Sequence, residues 1–169
     1  MRDDAGKWDV ATHDNNILIT ENISVTQVQP DRQTMISGVS VLYQTPLTLV
    51  EWPGKIAKEQ YALVLRRDRI LEVNGPVREY GWDESLSCAV SNMSDGYSVL
   101  NISGPAALAL LTRGGFIDTN DQSRSVARTL FGLPVLLYQH GMTDRFSLHI
   151  GSAHLQSFKS IILSCYANS

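Results

Sequence analysis

The sequence predicts an α+β domain of antiparallel strands with packed helices, and three observations carry that reading. Short β-branched runs alternate with polar residues from residue 17 onward. Turn residues separate these runs at hairpin-like intervals. Helical signals are confined to short stretches near 83–91, 104–113 and 152–165. At 169 residues the chain is about one domain long, since ~150 residues suffice to bury a sizeable core. The division expected is a loose polar arm over residues 1–16, followed by a single α+β domain over 17–169.

Taken in order, ILITENISVTQV and TMISGVSVLYQT read as strand, with Gly38 as a bulge position. PLTLVEWPGK is an extended piece closed by the turn dipeptide Pro53-Gly54. YALVLRRDRILEV places two apolar runs around Arg66-Arg67-Asp68-Arg69, the pattern of a hairpin with a charged bend. GWDESLSCAVSN reads as helical, with Asp83 or Glu84 near its start, where the dipole favours negative charge. YSVLNI is a strand. Ser103 is then expected to cap a short helix with Pro105 in its first turn and Gly114-Gly115 at its end.

DTNDQSRSVART reads as a polar connection, and FGLPVLLYQ as a buried strand. HGMTDR turns the chain back into FSLHI, where Phe146, Leu148 and Ile150 share one face and Ser147 and His149 the other. The last helix is expected to start at Ser152 and to place Leu155, Phe158, Ile162 and Cys165 on one side.

A net charge of -3 provides no field for a phosphate backbone or an anionic membrane surface, so neither nucleic acid nor membrane is an expected partner. The N-terminus lacks the apolar core of a signal peptide, and Cys88 and Cys165 match neither a disulfide framework nor a zinc spacing. These features point to a cytoplasmic protein. Charged residues make up 18% of the chain, below the roughly 25% of an average soluble domain. That shortfall suits a surface partly covered by a partner and equally a compact monomer rich in Ser and Thr.

Catalytic signatures are sparse. The turn Ser103-Gly104-Pro105 has the form of a helix start that offers N–H groups to an anion, but no phosphate-binding glycine motif accompanies it. His13, His140, His149 and His154 show no metal-ligand spacing and read as surface or rim residues. Asp118, Asp121 and Asp144 sit in turn-like sequence. Of the tryptophans Trp8, Trp52 and Trp82, the last two join Arg66, Arg67 and Arg128 as interface candidates, because interfaces favour tryptophan and arginine.

The runs YALVLRRDRILEV, SNMSDGYSVLNISGPAALALLTRGGFIDTN and VARTLFGLPVLLYQHGMTDRFSLHIGSAHLQSFKSIIL resemble the gamma subunit of heterotetrameric sarcosine oxidase. More distantly, they resemble the folate-binding aminomethyltransferase fold of the glycine cleavage T-protein. The resemblance spans residues 61–165 and is best from Ser103 to Asp118. It implies a non-catalytic, gamma-type subunit of a flavoenzyme complex that oxidatively demethylates an N-methyl amine. Its partners would be an alpha chain with NAD and tetrahydrofolate, a beta chain with FAD and FMN, and a delta chain with zinc. No cofactor is expected in this chain.

Where that family often carries an acidic residue two before a serine, this chain has Asn92, then Met93 and Ser94. Asparagine cannot ionise. The chain is also about half as long as the complete folate-binding enzymes. The resemblance therefore implies a vestigial ligand site at Asn92, Asp95, Ser103 and Asp118. The alternative it leaves open is a stand-alone folate- or small-molecule-binding protein in which Asp95 or Asp118 replaces the missing carboxylate.

Overall fold

A computed structural model of the chain describes residues 15–141 and 145–168. Nearly all of the expected arm, with Trp8 and His13, and also Asp144, lie outside the described residues. Two sheets dominate. The first runs in the order β1 (Asn16–Ile19), β2 (Ser24–Val28), β10 (Tyr97–Ser103), β13 (Arg145–Gly151), β12 (Leu133–His140) and β11 (Ala127–Leu130). The two-residue strand β5 (Lys55–Ile56) joins the end of β12 in parallel. The second runs β4 (Leu49–Val50), β6 (Tyr61–Arg66), β7 (Arg69–Val73), β3 (Gln33–Gly38), β9 (Cys88–Asn92), β8 (Gly81–Asp83). Apart from β5 with β12 and β4 with β6, the pairings are antiparallel.

The strand period of two sorts the side chains into layers. On the first sheet, Leu100, Ile102, Leu137, Phe146, Leu148 and Ile150 face the helices α1 (Ala107–Thr112) and α2 (Leu155–Ala167) in one apolar cluster. Phe158 and Ile162 of α2 are fully buried there. Each contributes about 2–3 kcal/mol of burial, which holds a helix whose remaining faces are solvated. The opposite face of the first sheet, with Leu136 and Tyr138, packs against Tyr61, Leu63, Leu71 and Val73 of the second. The outer face of the second sheet buries Ile36, Ala62, Val64, Ile70, Cys88 and Val90 under the 3-10 turn Val41–Tyr43 and neighbouring loops. There Glu72, fully buried, accepts bonds from Arg78 Nε (2.7 Å) and Nη2 (3.0 Å) and from the Thr45 hydroxyl (2.6 Å). A carboxylate removed from water is tolerated only with such partners.

The hairpin β6–β7 bends at Arg67-Asp68, and α2 presents its predicted apolar side, as the spacing requires. Four local readings are corrected. The stretch near 83–91 is not a helix but the hairpin β8–β9. Asp83 Oδ1 accepts bonds from the Ser85 hydroxyl (2.7 Å) and the Leu86 N–H (3.1 Å), and this carboxylate closes a turn instead of a helix start. Phe131 and Gly132, with φ of 55° and 78°, form the two-residue turn of the hairpin β11–β12, so the buried strand begins after them and the polar connection contains β11. Gly38 ends β3 in regular pairing opposite Cys88, with no bulge. Neither Ser103 nor Ser152 caps a helix. Ser103 is the last residue of β10, and the Ser152 hydroxyl donates to the Asp95 carbonyl (2.8 Å).

The turn after β10 rests on the β1–β2 turn. Gly104 has φ +108°, and a Cβ there would lie 2.4 Å from the Asn22 carbonyl oxygen. The Ala106 N–H donates to that same oxygen (3.1 Å), and the Ala107 N–H to the Gly104 oxygen (3.0 Å). These two N–H groups brace the fold, and neither is left for an anion. Gly104→Ala should therefore cost about 3 kcal/mol or more, since strain and a backbone clash add. Gly132→Ala, with φ +78° and open space around the new methyl, should cost about 1 kcal/mol. Urea denaturation of both variants checks the difference.

Candidate functional site: a buried relay beneath a cleft

A line of polar side chains crosses between the sheets. Gln33 of β3 and His149 of β13 are both fully buried, and Tyr138 of β12 is 1% exposed. Gln33 Nε2 bonds the Tyr97 carbonyl (3.0 Å), and Gln33 Oε1 lies 2.6 Å from His149 Nδ1. His149 Nε2 lies 2.8 Å from the Tyr138 hydroxyl, which lies 2.6 Å from that of Tyr61 in β6.

The chemistry of the groups sets every proton in this line. A carbonyl only accepts, so the Tyr97 oxygen requires the Gln33 amide nitrogen, which turns Oε1 toward His149. Nδ1 of His149 must then carry the proton, and Nε2 must accept. Tyr138 donates its one proton to Nε2, and Tyr61 donates its own to the Tyr138 oxygen. The direction runs from Tyr61 to Gln33 without a mismatch.

Burial also keeps the line neutral. Desolvation lowers the His149 pKa from 6.5 to about 3. Burial, with Tyr61 adding in the same direction, pushes the Tyr138 phenol well above its ordinary value. Burial raises Tyr61 as well, opposed by its bond to Tyr138. At neutral pH the relay holds two phenols, a neutral imidazole and an amide.

Tyr61 and Tyr138 form part of the lining of a cleft of about 320 Å³ between the sheets. Val28, Val73 and Val99 supply apolar wall, while Asp31, Glu59, Asn74, Asn101 and His140 supply polar wall. That size lies at the lower end of small-molecule sites, ~300–1,000 Å³. His140 is held by a bond from Nε2 to the Lys58 carbonyl (3.0 Å).

The predicted site residues do not converge. Asn92 and Asp95 precede β10 and Ser103 ends it, so that strand's length separates them by about 20 Å. Asn92 Oδ1 accepts the Ser94 N–H (3.0 Å), Asp118 Oδ1 accepts the Asn120 N–H (2.9 Å), and Asp95 is exposed. Trp52, an interface candidate, is 2% exposed: its indole N–H donates to the Asp118 carbonyl (2.9 Å), and the Arg128 guanidinium sits 5.2 Å from its ring centroid. It is a core residue. Trp82, 61% exposed, and the exposed Arg66 and Arg67 remain on the surface. Reading His149 as a rim residue was wrong, because the face opposite Phe146, Leu148 and Ile150 is covered by the second sheet. One signal was available. VLLYQ in β12 is apolar on both faces, and Leu136 pairs directly with His149, so β13 shares that two-sided burial.

No protein-family profile matches the chain, and no curated protein matches its sequence. Among solved structures, a chain of the heterotetrameric sarcosine oxidase from Corynebacterium sp. U-96, solved in complex with pyrrole 2-carboxylate, has the same fold. The match has a TM-score of 0.69 at 17% identity and covers 89% of this chain and 87% of that one. Among the described residues no helix is long and apolar enough to cross a membrane, and no three His, Cys, Asp or Glu side chains gather as a metal site.

The buried imidazole makes stability depend on pH. Folded His149 binds its proton only near pH 3, whereas the unfolded residue binds near 6.5. Below the upper value the unfolded chain holds the extra proton, so stability is lost as pH falls, by about 1.4 kcal/mol per pH unit. Urea denaturation between pH 6.5 and about pH 5, above most carboxylate titration, should show that slope in the native chain and lose it in His149→Gln.

Proposed function

We propose that this chain is a non-catalytic, gamma-type subunit of a sarcosine-oxidase-like flavoenzyme that oxidatively demethylates an N-methyl amine. The observation that carries the proposal is the structural match to a chain of a heterotetrameric sarcosine oxidase over nearly the whole length of both. Such mutual coverage supports a likeness to a whole chain of that assembly rather than to one part of a larger chain in it. The remaining subunits would be of alpha, beta and delta type, with the flavins, NAD, tetrahydrofolate and zinc held by them. The aminomethyltransferase-like character of the fold and a cytoplasmic setting belong to the same proposal. Cys88 and Cys165, which form no disulfide, are consistent with that setting.

Support for a non-catalytic role comes from what the predicted ligand residues do. Asn92 Oδ1 and Asp118 Oδ1 each accept an N–H of a local turn, and Ser103 continues a sheet. For contacts with the larger subunits, the exposed Trp82, Arg66 and Arg67 are the available members of the predicted set, since interface anchors must be accessible before assembly.

The cleft favours a second reading, a small-molecule-binding protein of the same fold that works alone. Gentle affinity purification of the tagged chain from its native host separates the two. A yellow eluate with larger partners in fixed ratio is the expected result. A colourless, lone chain that takes up tetrahydrofolate in a calorimeter would establish the second reading instead.

A further inference from the structure

The segment from Gly75 to Glu84, which leads into and includes β8, is fastened at both ends and turns apolar side chains outward. Arg78 ties its first half to the core: Nε and Nη2 donate to the two carboxylate oxygens of the buried Glu72 (2.7 and 3.0 Å), and Nη2 also to the Gln44 carbonyl (3.3 Å). At the other end β8 pairs with β9, opposite Val90, Ala89 and Cys88. Between these fastenings Val77, Tyr80 and Trp82 are 78%, 50% and 61% exposed. Surface hydrophobics scattered singly are ordinary, whereas a run of them marks an interaction site. β8 is also the last strand of its sheet, and among the described residues its outer edge pairs with no other strand. The charge beside these side chains is negative. Glu79 precedes Tyr80, and Asp83 and Glu84 follow Trp82; both glutamates are exposed and Asp83 is half-buried. The nearest cation in the chain, Arg78, forms an ion pair with Glu72. Two others stand at the margins: Arg32 bonds the Gly75 carbonyl, next to Asp31 in the chain, and Arg69 reaches the Ser37 hydroxyl (3.2 Å), two strands from β8.

We infer that this edge is the surface on which a larger subunit docks, through a segment that carries lysine or arginine beside apolar side chains; the inference rests on the subunit reading. Val77, Tyr80 and Trp82 supply the apolar area, and the two aromatic faces can each hold a cation. Glu79, Asp83 and Glu84 supply the opposite charge, which strengthens as docking excludes water. A second copy of this chain would set like charges against each other at this edge, and an acidic segment would do the same. The fastening by Arg78 and β9 orders the surface before the partner arrives, which lowers the entropy lost on association.

The test uses the assembly purified with the tagged full-length chain from its native host. Hydrogen exchange of that chain, compared between the assembly and the chain alone, should slow by about tenfold or more at the amides of residues 79–84. Trp82→Ser and the double variant Glu79→Lys/Glu84→Lys should each retain about tenfold less partner, the loss expected of an interface anchor. Raised salt should release partner from the native chain. Leu163→Ser, which removes an exposed apolar side chain on α2, should retain partner in full. Circular dichroism checks the fold of each variant, and the exchange measurement, made on the native sequence, decides the matter if a variant misfolds. Unchanged exchange over residues 79–84, or full retention of partner by either β8 variant, overturns this inference and leaves the subunit reading standing. A native chain that purifies alone overturns the subunit reading and this inference with it.

Discussion

Four side chains from four strands, Gln33, His149, Tyr138 and Tyr61, meet between the sheets in hydrogen bonds of 2.6 to 2.8 Å. Each is polar and nearly or wholly removed from water, and an unpaired group there costs ~1–3 kcal/mol. The line is stable because every donor meets an acceptor in one consistent direction. That consistency constrains the rest of the molecule. A slip of one residue in β13 would turn His149 toward the helices and Leu148 toward Gln33, breaking the relay and the apolar layer together. Register, sheet spacing and the position of β3 against β13 are therefore set by the same contacts.

The relay also explains why a cleft exists where it does. Away from Tyr61 the sheets are joined by close apolar packing of Leu63, Leu71, Val126 and Leu136. Tyrosine hydroxyls need polar neighbours, so the apolar filling gives way near Tyr61 and Tyr138 to Asn101 and Ser147, which bond each other at 2.7 Å. Polar wall and an oriented phenol are consequences of one packing requirement. The opposite face of the first sheet is filled by α1 and α2, and beside the braced turn at Gly104 it borders a separate cleft of about 440 Å³ lined by Gly104, Pro105, Leu108 and Phe146.

Much of the fold was legible locally. The charged bend of β6–β7, the return from β12 into β13 and the apolar side of α2 follow from periodicity and turn chemistry, which act over a few residues. The errors have local causes too. Asp83 suits a helix start and a turn equally well, and only Ser85 and Leu86, drawn to its carboxylate, settled the matter. Ser103 looked like a cap because Pro105 follows it, yet strand pairing with Ser24 and Arg145 claimed its backbone first. The residues singled out as a ligand site, Asn92, Asp95, Ser103 and Asp118, were grouped by resemblance. The seven-residue strand β10 keeps Asn92 and Asp95 apart from Ser103.

The sequence by itself determined which residues alternate, where the charged bend of β6–β7 falls, and that Phe146, Leu148 and Ile150 form a buried face. Alternation reports only a difference between two faces of a strand, so it could not show that the second face is buried as well. That depends on a strand far away in the chain: Gln33 and His149 are separated by 116 positions. Tertiary structure alone decided that His149 is a neutral core residue, that Trp52 is packed inside, and that Tyr61 opens onto a cleft. The physical reason is common to all three: burial is a property of what lies opposite, and local sequence does not contain the opposing surface.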